Sequence, residues 1–164
     1  MENKKTKLNT LLLILYILIH QSCITQKKDE LHLMYKDITY YNGVIHEIKS
    51  YDSKTAIYEV KLLYPYEGYK SKSVTVNLSS KNIKEIYDLY LKLRPENLHN
   101  CVFNDNNELI SSSTISFNKN ENIENLPCNS DGKDKEKYDN IEAKLYEFIL
   151  PTYKLKYPNE FIGK

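Results

Sequence analysis

Val44-Ile-His-Glu-Ile-Lys49, Ala56-Ile-Tyr-Glu-Val-Lys-Leu-Leu63 and Ser73-Val-Thr-Val-Asn-Leu78 are the stretches that decide the fold. In each, every second residue can face one side of a pleated strand: Val44, His46 and Ile48 alternate with Ile45, Glu47 and Lys49. Ala56, Tyr58, Val60 and Leu62 alternate with Ile57, Glu59, Lys61 and Leu63, and Val74, Val76 and Leu78 with Ser73, Thr75 and Asn77. Period-two runs rich in β-branched and aromatic residues predict half-buried strands. Asn42-Gly43 and Tyr51-Asp-Ser-Lys54 supply turn chemistry, because Asn-Gly accepts positive φ and Asp and Ser close local side-chain turns. Met34 to Leu78 therefore reads as an antiparallel meander.

Downstream the period changes. Ile83, Ile86, Tyr87, Tyr90 and Leu93 recur at helical spacing, with Ser79 or Ser80 placed to cap the first turn. Pro95 stops that helix, since it has no amide proton and clashes in a helix interior. Two shorter strands are predicted near Cys101–Phe103 and Leu109–Phe117. Residues 118–134 are rich in Asn, Lys and Glu and read as a long exposed loop. A closing helix carries Tyr138, Ile141, Leu145, Phe148 and Ile149 on one stripe, capped by Asp134 and ended by Pro151. Strands, helix, strands, helix predicts an α+β fold: a single antiparallel sheet, meander then two shorter strands, with two helices packed on one face.

The 164 residues suit one compact domain. A charged fraction of 27% beside 41% hydrophobic residues excludes extended disorder and a polytopic membrane protein. The 23 basic and 22 acidic residues nearly cancel, which excludes a broadly basic nucleic-acid binder.

The start of the chain has a different character. Lys4, Lys5 and Lys7 precede the apolar run Leu11–Ile19, and His20-Gln21-Ser22-Cys23 follows. A basic start, a short apolar stretch and a small residue before a break are the parts of a signal peptide. A membrane-crossing helix needs about 20 apolar residues, and this run is less than half that long. With Ser22 before it, Cys23 resembles the lipidated cysteine of bacterial lipoproteins, in the looser Ser-Cys form of Bacteroidota. Ile19, His20 and Gln21 stand where that family usually has Leu and a small residue. The resemblance covers residues 1–23. It implies cleavage after residue 22, a diacylglycerol group on Cys23, and an outer-membrane-anchored protein of the cell envelope facing periplasm or cell surface. Residues 23–32 would then be the lipidated cysteine and a polar tether, and 33–164 the folded domain. Residues 1–22 hold three Lys and one Glu, so their removal leaves a net charge of −1 and nothing that attracts nucleic acid.

With Cys23 assigned to lipid, Cys101 and Cys128 are left as a pair, and an oxidising compartment favours a disulfide between them. Closing that loop of about 28 residues is worth on the order of 3–4 kcal/mol by chain entropy. The competing reading is a catalytic thiol helped by His99, set aside here as two strand neighbours facing opposite ways. His32, His46 and His99 show no metal-ligand spacing, so neither metal nor cofactor is predicted. Asn129-Ser-Asp-Gly132 fails as a calcium loop, since Pro127 and Tyr138 fall where carboxylates are required. Ser111-Ser112-Ser113 lacks the Gly-x-Ser-x-Gly frame and fits the solvent face of a strand. No catalytic residue is assigned.

Tyrosine is the conspicuous residue, with 15 in the chain. Most fit half-buried sheet positions with the hydroxyl in water. Tyr64, Tyr66 and Tyr69 cluster between two strands and form the candidate contact surface, because tyrosine offers large area at low entropic cost. The functional expectation is a non-catalytic binding module, held to the membrane by its lipid and engaging a protein partner. An immunity-type inhibitor of a secreted toxin and a structural accessory of an envelope complex are the alternatives.

Overall fold

The computed structural model describes residues 31–64, 67–118, 127–129 and 132–159. The leader, Cys23, the tether up to residue 30 and Tyr66 lie outside these residues. One six-stranded antiparallel sheet and two helices form the described chain, an α+β fold. In chain order these are β1 (Leu33–Tyr41), β2 (Val44–Asp52), β3 (Ile57–Tyr64), β4 (Gly68–Thr75), α1 (Ser80–Leu93), β5 (His99–Phe103), β6 (Leu109–Phe117) and α2 (Gly132–Lys156). The sheet order is β4-β3-β2-β1-β6-β5, so the last two strands add to the free side of β1.

Register sets the core. Tyr35 pairs with Tyr51, Tyr51 with Tyr58 and Tyr58 with Val74, which lays three tyrosines in a row across β1, β2 and β3. On the other flank Leu33 pairs with Phe117 and Tyr35 with Ile115, so the same face continues onto β6. All of these side chains are buried. The helices reach the sheet through rings. Tyr146 and Tyr153 of α2 stand edge-on to Tyr35 and Tyr58 at centroid distances of 5.5 and 5.3 Å. Tyr87 and Tyr90 of α1 meet Phe117 at 5.0 and 5.5 Å. Edge-on aromatic pairs align positive ring edges with negative faces and add to the area buried.

Helix α1 begins as expected. Ser79 is the N-cap, its hydroxyl accepting from the Asn82 amide at 3.2 Å while the Asn82 side chain accepts from the Ser79 amide at 3.1 Å. It ends at Leu93, where Arg94 turns left-handed (φ 47°) ahead of Pro95. Helix α2 departs from expectation at both ends. It starts at Gly132, with Asp134 inside its first turn, and it runs through Pro151 to Lys156. Proline removes one helical hydrogen bond, but Leu145, Ile149 and Tyr153 stay buried on one stripe across it, and that packing carries the helix on. The exposed-loop reading of 118–134 also fails at Asn129. That residue is buried, forms a parallel bridge to Asn100, and donates its amide to the His99 carbonyl at 2.8 Å. The meander ends early as well: β4 stops at Thr75, and Val76 leaves the sheet while remaining in the core.

Ile141 is fully buried on α2, so Ile141→Ala should lower unfolding free energy by about 2–5 kcal/mol. Ser79→Ala, which removes only a cap, should cost about 1 kcal/mol. Urea denaturation of the two variants checks both, and equal losses would place Ile141 outside the core.

Candidate functional site

The alternate residues of the same strands make the opposite sheet face. Met34 and Lys36 on β1 pair with Asp52 and Ser50 on β2, which in turn pair with Ile57 and Glu59 on β3. On the β6 side Met34 and Lys36 pair with Ser116 and Thr114. These side chains line a cleft of about 640 Å³. Met34, Ile48 and Ile57 give it apolar area, and Ile57 is 38% exposed. Lys36, Asp52, Glu59 and Lys61 carry its charge. Ser71 donates to Glu59 at 2.5 Å and Lys61 sits at 3.1 Å, holding that carboxyl below its ordinary range against the effect of burial. Burial likewise opposes the charge on Asp52, but the His32 ring at 2.7 Å and the Lys54 amide outweigh it and the carboxyl is again lowered. Apolar floor and fixed charges of both signs together suit recognition of a surface that is itself part apolar and part polar.

At the β5 end of the sheet, Cys101 and Cys128 are joined as a disulfide, with Cα atoms 5.4 Å apart. His99 corrects the sequence reading. Positions 99 and 101 are two apart on one strand, so they share a face rather than opposing each other. The His99 Nε2 atom lies 3.5 Å from Cys101 Sγ, 3.8 Å from Cys128 Sγ and 2.9 Å from Ser112 Oγ. Ser112 accordingly belongs to this corner. Ser113, one residue on, is buried and pairs with Asp37 on β1, so the triple-serine run is not simply a solvent face.

The core face carries a polar group of its own, which sequence reasoning missed. Tyr35 donates to Glu142 Oε1 at 2.9 Å, and its hydroxyl lies 2.7 Å from that of Tyr146. Two residues along β1, Asp37 sits 3.6 Å from the buried Lys49 ammonium, which also meets Glu47 at 3.0 Å. Burial, helped by the nearby Asp37 charge, raises the Glu142 carboxyl above its ordinary range although the Tyr35 bond acts the other way. Asp37 is raised too, first by burial and then by Glu47, with Lys49 opposing. The phenols of Tyr35, Tyr58, Tyr138 and Tyr146 are all pushed up, chiefly by burial. The sequence signal was available: a tyrosine on the buried phase of a strand needs an internal partner for its hydroxyl.

Of the proposed contact tyrosines, Tyr64 ends β3 and is 39% exposed, while Tyr69 lies within β4 and is 50% exposed. Lys70 stands over the Tyr64 ring at 4.7 Å. Tyr64 and Tyr69 thus belong to the paired strands of a hairpin rather than to a free loop. His32, expected near the tether, is buried at 4% exposure and held by Asp52. No protein-family model and no curated protein matches this sequence.

A carboxyl whose folded pKa exceeds its unfolded value favours the protonated form in the folded state. Its contribution is present below the unfolded value, about 4.3 for Glu, and is lost as pH rises through the folded value. Glu142→Gln keeps the acceptor for Tyr35 without the charge. Its melting temperature relative to the native chain should therefore rise between pH 4 and pH 7. Calorimetry at the two pH values checks this, and a constant difference would show that Glu142 is not raised by its surroundings.

Proposed function

We propose that this chain is a lipid-anchored protein of a bacterial envelope that works by binding a protein partner and not by catalysis. The observation that carries the binding reading is the open sheet face, with its cleft between Met34, Ile48 and Ile57 and its flanking charges. Such a rigid, paired surface presents its side chains at little entropic cost on association. The anchor rests on the Lys4–Cys23 pattern, and the outer membrane is its proposed seat. One acyl chain binds a bilayer marginally, so the diacylglycerol that the lipoprotein resemblance implies is what makes such an anchor stable. Oxidising surroundings fit the Cys101–Cys128 bond.

Two measurements test the proposal. Intact mass of membrane-extracted protein should give residues 23–164 plus acyl groups, with a two-hydrogen gain on reduction. A full-length mass with free thiols would overturn the anchor. In living cells, a photo-crosslinking residue at Ile48 or Ile57 should trap a discrete protein adduct, and one at the exposed Ala143 of α2 should not. Adducts at Tyr69 but at neither isoleucine would move the binding surface to the β3–β4 hairpin.

A further inference from the structure

The geometry points to a second role for the corner at His99, Cys101 and Cys128: once the disulfide is reduced, these side chains form a site for one thiophilic divalent cation of the Zn²⁺ class. Their ligating atoms already lie within 4.8 Å of one another. Zinc binds thiolate sulfur at about 2.3 Å and imidazole nitrogen at about 2.0–2.1 Å, so tetrahedral coordination separates nitrogen from each sulfur by about 3.6 Å. His99 Nε2 stands 3.5 and 3.8 Å from the two sulfurs. Both nitrogen–sulfur edges of such a site therefore exist before any ion arrives. Only the two sulfurs have to separate, which their Cα spacing of 5.4 Å permits.

The chemistry balances. An external dithiol supplies two electrons and two protons, the bond between Cys101 and Cys128 opens to two thiols, and the dithiol closes to its own disulfide. On binding, both thiol protons leave and His99 coordinates as neutral imidazole. Two thiolates and one divalent cation sum to zero charge, which suits a corner where His99 and Cys101 are 8% and 2% exposed. Cys128 is only partly buried and gives the ion its way in. Three protein ligands leave the fourth position for water. Strand β5 fixes His99 and Cys101, and the Asn129 bridge holds Cys128 beside them.

The test uses the full chain in detergent, reduced with a phosphine, freed of reductant without air and titrated with Co²⁺ as the optical probe. The reduced chain should take one equivalent with thiolate-to-cobalt charge transfer and tetrahedral visible bands, both erased by excess Zn²⁺. The oxidised chain should take none. Cys128→Ser should abolish the charge transfer, and His99→Gln should weaken binding at least tenfold, while His99→Cys restores it and His46→Gln leaves it unchanged. The proposal fails if the reduced chain shows no charge transfer, or if oxidised and reduced chains bind alike. It fails as well if Cys128→Ser binds as the native chain does, which would place the ligands outside this corner. Loss of far-ultraviolet circular dichroism on reduction that the metal does not restore also overturns it, because the nitrogen–sulfur spacing requires β5 to be formed.

Discussion

A phenol hydroxyl removed from water without a partner costs on the order of 1–3 kcal/mol, and three adjacent strands here bury one each. Where the hydroxyls of Tyr35 and Tyr51 go governs the helix-facing half of the molecule. Tyr51 donates to the Val76 carbonyl at 3.0 Å, and the Val76 amide in turn bonds the Ala56 carbonyl, so the chain leaving β4 is drawn across the end of the sheet. Tyr35 bonds Glu142 and Tyr146, four residues apart on α2, and so fixes which turn of that helix meets β1. Tyr58 stands edge-on to Tyr153, two helical turns further along. A helix sliding by one turn would break all of the α2 contacts together. The polar group around Glu142 is therefore a register device for the fold, and its raised carboxyl is the electrostatic consequence of where that register puts it.

Strand positions were legible in the sequence because alternation survives any choice of which face is buried. The choice itself was not legible. On β2 the apolar Ile48 lies on the cleft side, while Lys49 and Tyr51 point into the core. Alternation cannot foresee a buried lysine, whose cost is offset by Asp37 and Glu47, the latter two residues away on the same strand and the former on its neighbour. Pro151 shows the same limit at a helix: the local rule for proline holds, and the buried stripe of Leu145, Ile149 and Tyr153 overrides it. The pairing of Cys101 with Cys128 was readable from the count of thiols. The place of His99 beside them was readable too, from a spacing of two, once the residues are set on one strand.

The tyrosine row and its α2 partners lie on the core face, and the cleft is lined by the alternate residues of the same strands. Its two carboxylates are held in place, Glu59 by Lys61 and Asp52 by the His32 ring, so they present a set pattern instead of a mobile one. Ordered charges beside apolar area give specificity at lower entropic cost than a loop of free side chains. The exposed tyrosines at the β3–β4 hairpin offer area, but Tyr64 is already engaged by Lys70.

Sheet edges sharpen the argument. An edge strand with free backbone groups can recruit another strand, and a protein built to assemble that way would leave one open. Here β4 carries Lys70 and Lys72, and its Ser73 carbonyl accepts from Lys156 at 2.8 Å and Tyr157 at 3.2 Å. At the opposite edge, Asn129 bridges to β5 and the disulfide pins the segment there. Both edges are thus interrupted by the chain itself, one by the end of α2 and the other by residues 127–129. Strand addition is disfavoured on each side, and a partner that meets this domain through its sheet has the face as its approach. The same covering of β5 that closes an edge is what brings Cys128 to His99, so the thiol corner follows from protecting the sheet.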